Sequence, residues 1–419
     1  MVANQPSIVF FCTPEAGHFQ ALRPLIARIA ARGLAAYVFT HRDFEAQTAR
    51  CGGRFLNLFD KYPIDEADRS SNPIPCRYVS FAGHYANEVI ADVRAIGPSL
   101  IIYETFSVIG PVVAQALDIP YVNVCVNHNP NPARCLKALA QDMRVAVSDR
   151  CLRAAERLRT EFRQEGASPF SYVSSVSPYL NVYCEPPQFL PDEDRSVFEP
   201  LVFFGCLLDP PPTNVLAAAA GGYFDQNVPD ALRVYVSFGT VIWRYFAQEA
   251  RGALQAISQA CAEMEHVRAC ISLGGAVGQE NLLSVLANDH VQIHRFVDQI
   301  SVLQRADIFV THHGLNSTHE AIFQGVPMLS SPFFSDQPAL ARKCHDLGLA
   351  LPLCSTPRDP LCAGDVKAAL TKARQQMSTL KENLARAYEW EMETIRAREV
   401  TLERLYGLIT SATVRAAPQ

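Results

Sequence analysis

The residues with the clearest chemical potential lie together in the C-terminal half of the chain. An apolar run, Ile308 to Val310, leads into His312-His313-Gly314, and Asn316-Ser317 then opens a predicted short helix. Glycine lets the backbone approach a ligand closely, and a helix N-terminus presents N–H groups and a positive dipole end to an anion. This segment is therefore suited to hold a diphosphate at the carboxyl end of a strand.

A polar pair, Asp336-Gln337, ends the next apolar strand, which follows Pro327. With the segment before it, this pair resembles the sugar-nucleotide signature of family 1 glycosyltransferases in its plant-type form. That form is a His-x-Gly-x-Asn-Ser-x-x-Glu run followed by an Asp-Gln pair. The resemblance extends from His294 to Gln337 and includes the turn at Ser237. It implies an inverting enzyme that transfers a hexose, with glucose expected, from UDP to a hydroxyl group of a small apolar acceptor such as a phenolic, polyketide or terpenoid natural product.

The resemblance also implies a donor site. His312 corresponds to the imidazole that donates to the β-phosphate, and Asp336 with Gln337 to the pair that holds the hexose hydroxyls. A strand-end histidine and a surface turn before Pro338 are the structural alternatives, and His313 receives no role. The implied donor-binding residues are Thr240, Phe296, Val297, Gln299, His312, Gly314, Leu315, Asn316, Ser317, Glu320, Asp336 and Gln337.

Two of these residues allow a second interpretation. Ser317-x-x-Glu320 fits a capping box, in which the carboxylate binds the backbone of the helix N-terminus. The resemblance instead implies that Glu320 accepts both ribose hydroxyls, which favours a UDP donor over a dTDP donor. Phe296 stands where plant-type enzymes stack a Trp on the base, and Asp298 replaces the usual Pro. A plain core aromatic is the alternative for Phe296.

A catalytic base is implied near the N-terminus. The first strand is followed by Thr13-Pro14-Glu15-Ala16-Gly17-His18, which resembles the Gly-His loop whose histidine deprotonates the acceptor. Histidine suits this role near neutral pH, and a carboxylate normally orients it. The family has Asp after a later strand, and this chain has Glu104, one methylene longer. Either Glu104 is the partner of His18 or it is an ordinary strand-end acid.

Acceptor-binding residues are weakly indicated. Tyr78, Phe81, His84 and Tyr85 are candidates by position alone, as are residues 127–132. Aromatic stripes of this kind more often belong to a core.

These residues require a scaffold of parallel strands. Strands are predicted at Ile8–Cys12, Ala35–Thr40, Leu100–Tyr103 and Tyr121–Val126, with helical patterns between them. The pattern restarts with strands at Val234–Phe238, Val267–Leu273, Val291–Arg295, Ile308–Thr311 and Met328–Ser331. Such alternation favours α/β domains with parallel sheets. Together with the resemblance it predicts the GT-B fold, in which two doubly wound, Rossmann-like domains face each other across a cleft.

The predicted domain division follows the composition. Residues 1–208 form the acceptor-binding domain, a Pro- and Ala-rich linker covers 209–230, and residues 231–377 form the sugar-nucleotide-binding domain. Residues 378–419 are predicted as helix that packs back on the N-terminal domain.

Composition limits the other possibilities. A net charge of −5 gives no reason to expect nucleic acid or an anionic membrane as partner, and no run approaches the length of a membrane span. The thirteen cysteines are scattered, without a C-x-x-C pair, which favours reduced thiols in the cytoplasm. His312, His313, His319 and Glu320 lack a metal-ligand spacing, so neither a metal nor a cofactor is expected. A monomer or weak homodimer is expected.

Other functions remain open at this point. A dTDP-sugar-dependent natural-product glycosyltransferase would share the architecture, as would a non-hydrolysing UDP-sugar epimerase. A catalytically inactive auxiliary homologue is a further alternative. A nicotinamide dehydrogenase is disfavoured because no G-x-G-x-x-G motif follows a strand.

Overall fold

The computed structural model describes residues 6–65, 68, 76–141, 145–208, 222–224, 228, 230–275, 278–279 and 281–415, with side chains as far as residue 410. The chain divides into two compact units. The first unit comprises Met1–Leu208 together with Thr394–Gln419, and the second comprises Asp209–Glu393.

The first unit is built on a seven-stranded sheet in the order β3-β2-β1-β4-β5-β6-β7. Its strands are β1 Ser7–Phe11, β2 Ala35–Thr40, β3 Arg54–Asn57, β4 Leu100–Glu104, β5 Tyr121–Cys125, β6 Leu180–Tyr183 and β7 Leu201–Phe203. The helices along residues 1–208 are α1 Ala16–Ala31, α2 Glu45–Arg50, α3 Cys76–Ile96, α4 Ile109–Ala116, α5 Pro132–Gln141, α6 Asp149–Glu161, α7 Ser171–Ser174 and α8 Asp192–Arg195. All strand pairs are parallel.

The second unit repeats this plan with a six-stranded parallel sheet in the order β10-β9-β8-β11-β12-β13. Its strands are β8 Leu232–Ser237, β9 Val267–Ser272, β10 Val291–His294, β11 Ile308–Thr311, β12 Met328–Ser330 and β13 Ala350–Pro352. The helices from residue 242 onward are α9 Ile242–Tyr245, α10 Ala247–Ala262, α11 Leu282–Val285, α12 Gln299–Leu303, α13 Leu315–Phe323, α14 Gln337–Asp346, α15 Ala363–Gln375, α16 Met377–Arg396 and α17 Arg398–Arg415.

Each sheet is covered on both faces, and this explains the composition of its strands. The four residues Ile8 to Phe11 of β1 have no exposed surface, and β11 is buried along its whole length. Strands that are buried on both sides read as continuous apolar runs rather than alternating ones. The apolar runs in the sequence therefore identify the central strands.

In both sheets the order in which the chain adds strands reverses at a central pair of strands. In the first unit β1 lies between β2 and β4, with Phe11 opposite Tyr103. In the second unit β8 lies between β9 and β11, with Ser237 opposite Thr311. At such a reversal the two loops that leave the carboxyl ends of the central strands diverge to opposite faces and open a crevice for ligands. The two predicted parts of the site follow these strand ends.

The structure confirms the predicted fold class and most of the predicted strands. It adds β3, β6, β7 and β13, which the apolar pattern did not reveal. Three of these are edge or near-edge strands with partial exposure, and β6 carries Asn181 in its middle. Helix α1 begins at Ala16, so His18 is its third residue.

The C-terminal helical segment divides differently from the prediction. Residues from Met377 as far as Glu393 belong to the second unit, and only the residues from Thr394 onward belong to the first. Most of the predicted linker, residues 209–230, lies outside the described residues.

Arg398 fastens the C-terminal helix to the first unit. It is completely buried, its Nε donates to the Phe204 carbonyl oxygen at 2.8 Å, and its guanidinium lies 4.7 Å from the Phe204 ring centroid. A buried cation is tolerated only where such partners compensate for the loss of water. Helix α17 is therefore an integral part of the first unit.

Candidate active site

The first unit brings His18 and Glu104 together. His18 Nδ1 lies 2.9 Å from Glu104 Oε2, although 86 residues separate them in sequence. Glu104 is fully buried, while the His18 side chain keeps 16% of its surface exposed. The contact forms because His18 follows β1, Glu104 ends β4, and these strands are neighbours. The longer glutamate side chain therefore reaches the histidine, in the role that the resemblance gives to the family's aspartate.

Several donors hold the Glu104 carboxylate in place. Its Oε1 accepts from the Thr13 N–H at 3.0 Å and from the Ser107 hydroxyl at 2.9 Å, and its Oε2 accepts from the Phe106 N–H at 2.8 Å. Burial alone would raise the pKa of Glu104, but His18 and these hydrogen bonds outweigh burial and lower the pKa below its usual value. The carboxylate therefore stays charged and accepts the Nδ1 proton, which assigns the basic lone pair to Nε2 of His18.

Two further features around His18 were not predicted. The Phe106 ring lies 4.4 Å from the His18 ring, and Tyr172 packs against Phe106 edge-on at 5.3 Å. Glu15, the N-cap of α1, forms a buried ion pair with Arg77. Of these residues, only Phe106 could have been found from the sequence, because it lies two residues after Glu104. The other contacts join segments that are distant in sequence.

In the second unit, His312 packs closely against two glycines. A Cβ atom at Gly239 would lie 2.7 Å from His312 Nε2, and one at Gly314 would lie 2.6 Å from the same atom. Gly239 also has a φ of +72°, which side chains rarely adopt. Because only glycine fits at both places, the loops after β8 and β11 can meet around this imidazole. Thr240, the next residue after Gly239, is exposed.

The His312 imidazole is held in its neutral form. Burial lowers its pKa to about 4, although the nearby backbone of Ser237 acts in the opposite direction. Its buried Nδ1 makes no hydrogen bond with a described residue. A neutral imidazole with a protonated nitrogen can donate to a phosphate oxygen without carrying its own charge.

Gln299, Ser317 and Glu320 form a hydrogen-bonded group beside this loop. Gln299 Nε2 donates to Glu320 Oε2 at 2.6 Å and to Ser317 Oγ at 3.0 Å, while its Oε1 accepts from the Tyr235 hydroxyl at 3.0 Å. Tyr235 was not predicted as part of the site. Its hydroxyl fixes the amide orientation of Gln299, and the amide in turn orients the Glu320 carboxylate.

The structure excludes the capping-box interpretation of Glu320. Helix α13 begins at Leu315 with Gly314 as its N-cap, so Ser317 is the third helical residue. A capping box requires the serine at the N-cap itself. Leu315 is buried, whereas Asn316, Ser317 and Glu320 are half-buried on the first turns. The ribose role of Glu320 remains as the interpretation.

Phe296 extends into solvent, with 72% of its surface exposed, whereas Val297 is buried. The alternative that Phe296 is a core aromatic is therefore wrong. Asp298, which replaces the family's Pro, is the N-cap of α12 and accepts from the Ser301 hydroxyl at 2.6 Å. An exposed ring after β10 has the freedom to stack on a planar base.

The polar pair stands at the start of α14. Asp336 occupies the N-cap position, and Gln337 is buried. Gln337 Oε1 accepts from the N–H groups of Phe333 and Phe334 at 2.9 and 3.2 Å. The side-chain oxygen of Gln337 thus holds the loop that contains Phe333 and Phe334. The side-chain NH₂ group of Gln337 is the part suited to a sugar hydroxyl.

The aromatic candidates of α3 have mainly structural surroundings. Tyr78 and Phe81 are buried in the core of the first unit, and the Tyr78 hydroxyl donates to Glu15 at 2.9 Å. His84 Nδ1 bonds the Ser80 carbonyl oxygen at 2.8 Å, and the half-buried Tyr85 donates to the Pro63 carbonyl oxygen at 3.1 Å. Tyr78 and Phe81 therefore support α3 rather than face a ligand.

The loop at 127–132 contributes to a small pocket. Asn127, Asn129 and Pro132 line a small pocket at the carboxyl end of β5. Beside it, His128 Nδ1 lies 2.8 Å from Glu185, and both side chains are buried.

His319 faces away from the predicted phosphate cradle. It is completely buried, and its Nδ1 lies 2.5 Å from Glu391 Oε1 on α16. Within the described parts of the chain, no three His, Cys, Asp or Glu side chains are grouped as a metal site would require. Across the same residues, no helix combines the length and hydropathy needed to cross a bilayer.

Comparison with known proteins bears on the class of enzyme. Residues 233–387 match the family model described as UDP-glucoronosyl and UDP-glucosyl transferase. The NDP-glycosyltransferase YjiC of Bacillus subtilis is 23% identical over 380 residues, which cover 89% of each chain. The solved glycosyltransferase of kitacinnamycin superposes with a TM-score of 0.74 at 20% identity, over 96% of this chain and 100% of that one. The family domain within the second unit, the curated relatives and the shared fold together support a family 1 glycosyltransferase with the GT-B fold.

Another solved structure carries a nucleotide. The spinosyn rhamnosyltransferase SpnG, complexed with thymidine diphosphate, has a TM-score of 0.65 at 17% identity and covers 95% of this chain and 100% of its own. As a glycosyltransferase, this protein is an enzyme that takes a nucleotide sugar and an acceptor.

Proposed function

We propose that this glycosyltransferase moves a hexose, with glucose expected, from UDP to a hydroxyl group of a small apolar natural product with inversion at the anomeric carbon. The observation that carries the proposal is the His18–Glu104 pair at 2.9 Å, with the carboxylate fully buried. His18 Nε2 takes the proton of the acceptor hydroxyl, and the oxygen attacks the anomeric carbon. The bond from that carbon to the diphosphate breaks, and Glu104 stabilises the imidazolium that results.

The second unit supplies the donor site in this proposal. His312, the Gly314 backbone, Asn316, Ser317 and Thr240 hold the diphosphate as it departs. The N-terminal end of α13 adds its dipole to that stabilisation. Phe296 stacks on the base, and Asp336 with Gln337 holds the hexose. No metal or cofactor enters the reaction, because neutral donors and the helix end take the role of a cation.

The preference for UDP rests on Glu320. Its carboxylate is oriented by Gln299 at 2.6 Å and is suited to accept two hydroxyls of a ribose. A dTDP-sugar donor is the second candidate, and the specific observation in its favour is the thymidine diphosphate bound by SpnG. Deoxyribose offers only one of the two hydroxyls. Substitution of Glu320 should therefore weaken the binding of UDP more than the binding of dTDP.

The test is direct turnover. UDP-glucose and dTDP-glucose are each incubated with a panel of phenolic, polyketide and terpenoid alcohols, and products are identified by mass gain and by the anomeric configuration from NMR. A retained anomeric configuration would overturn the inverting mechanism. Transfer from dTDP-glucose alone would overturn the assignment of UDP.

A further inference from the structure

His313 lies between two residues of the proposed diphosphate loop, yet its side chain points into the protein. It is completely buried, and its backbone has a φ of +60°. This left-handed conformation is uncommon for residues other than glycine, although histidine, asparagine and aspartate tolerate it better than most. Such a conformation persists where the surroundings hold it in place.

Both ring nitrogens of His313 make hydrogen bonds. Nδ1 lies 3.2 Å from Thr318 Oγ1 on α13, and Nε2 lies 2.6 Å from Ser330 Oγ at the end of β12. The backbone N–H of His313 also donates to Thr311 Oγ1 at 3.2 Å. One side chain thus joins the loop, the following helix and the neighbouring strand.

The contact continues beyond Ser330. Its Oγ lies 2.8 Å from Nε2 of His345, which belongs to α14. A hydroxyl carries one proton, so Ser330 donates to one imidazole and accepts from the other. The chain His313–Ser330–His345 is therefore an ordered connection from the diphosphate loop to the helix that begins at Asp336-Gln337.

We infer that His313 is a positioning residue for the sugar nucleotide, which fixes the diphosphate loop relative to the helix that carries the hexose-binding pair. The inference rests on the proposed donor site. The diphosphate contacts lie on one side of this connection and the hexose contacts on the other. Loss of the connection should therefore weaken binding of the complete sugar nucleotide more than binding of the nucleoside diphosphate alone.

Two substitutions separate the side-chain contact from the backbone conformation. His313→Asn keeps tolerance of the positive φ and places an amide near the Nδ1 position, but it is too short to reach Ser330. His313→Gln tolerates this φ less well, but its amide reaches the Nε2 position. We expect the affinity for UDP-glucose to fall about tenfold in His313→Asn, as for the loss of one buried hydrogen bond, and to recover in part in His313→Gln. The reverse order would show that only the backbone conformation matters and would overturn the inference.

Ser330→Ala tests the same connection without altering residue 313, and it remains informative if the His313 variants do not fold. Calorimetry with UDP-glucose and with UDP gives the two affinities, and His266→Asn, an exposed histidine of the same unit, is the control. We expect Ser330→Ala to weaken UDP-glucose more than UDP and to leave the acceptor KM unchanged. An unchanged ratio of the two affinities, or a lower Tm alone, overturns the inference. If the unaltered protein binds neither nucleotide, nor dTDP-glucose and dTDP in their place, it is the proposed function that fails.

Discussion

Glu104→Gln replaces one carboxylate oxygen with an NH₂ group at a fully buried position. Each oxygen of the native carboxylate faces one rigid backbone donor, the N–H of Thr13 at Oε1 and the N–H of Phe106 at Oε2. Whichever way the amide turns, its NH₂ group therefore meets a backbone N–H. Such an unsatisfied buried contact costs about 1–3 kcal/mol of folding stability. The substitution should therefore lower the Tm measurably while leaving the protein folded.

The catalytic consequence depends on which atom of the new amide takes the place of Oε2, the carboxylate oxygen that faces His18. If the NH₂ group faces His18, Nδ1 must become an acceptor, and the proton moves to Nε2. His18 then has no basic nitrogen directed at the acceptor. If the oxygen faces His18, the tautomer survives but the negative charge that stabilises the imidazolium is lost. The first outcome removes general-base assistance and the second weakens it, so we expect kcat with an alcohol acceptor to fall by up to about 10²–10⁴-fold.

The assay compares turnover with donor affinity. Because the proposed donor contacts belong to the second unit, the Kd for UDP-glucose measured by calorimetry should not change in Glu104→Gln. Ser107→Ala is the matched control, since Ser107 donates only to Oε1 and does not contact the oxygen that faces His18. Its turnover should remain near the native value. Native turnover in Glu104→Gln with an alcohol acceptor would refute the pairing, and equal losses in the two variants would show that packing is the cause.

Four further predictions concern the proposed catalytic pair and the proposed donor site. His18→Ala should lower transfer to an alcohol by about 10²–10⁴-fold without changing donor affinity, and an acidic phenol that is already ionised should recover part of the rate; native transfer would place the base elsewhere. Glu320→Ala should weaken UDP binding by about 2–4 kcal/mol and dTDP binding by less, measured by calorimetry; equal weakening would contradict the ribose role. UDP should bind in the presence of a chelator, and a strict magnesium requirement for binding would exclude the metal-free cradle. Because folding lowers the pKa of Glu104, its carboxylate stabilises the fold at pH values above the unfolded-state pKa of 4.5, and this stabilisation is lost as pH falls through the lower folded-state pKa. The free energy of unfolding, measured in urea between pH 7 and 3, should therefore fall less in Glu104→Gln than in the native protein.

The sequence was informative where a short apolar run ends in polar residues. Thr311, Ser237 and Glu104 close buried central strands, and such strands are recognisable because both faces are covered. The positions of His18 and of the loop after β11 followed from the same pattern, since parallel strands place their carboxyl ends at one edge of a sheet. The edge strands escaped detection because their exposure interrupts the apolar run.

Other features had no signal along the chain. The hydrogen bond from Tyr235 to Gln299 joins residues 64 positions apart, and the ion pair of Glu15 with Arg77 joins residues 62 apart. Contacts between distant side chains leave no periodicity to detect. The capping-box pattern was misleading for a different reason, because Gly314 takes the N-cap and shifts Ser317 into the helix.

The attachment of α17 determines how this enzyme can be recombined with its relatives. Buried Arg398 joins the last helix to Phe204, so the first unit is discontinuous and the second is an insertion between residues 208 and 394. A hybrid that exchanges everything after residue 208 would give the recipient a foreign closing helix and would separate Arg398 from its carbonyl partner. An exchange limited to 209–393 keeps that pairing. Donor preference should therefore be transplanted as an internal cassette, with both chain ends left native.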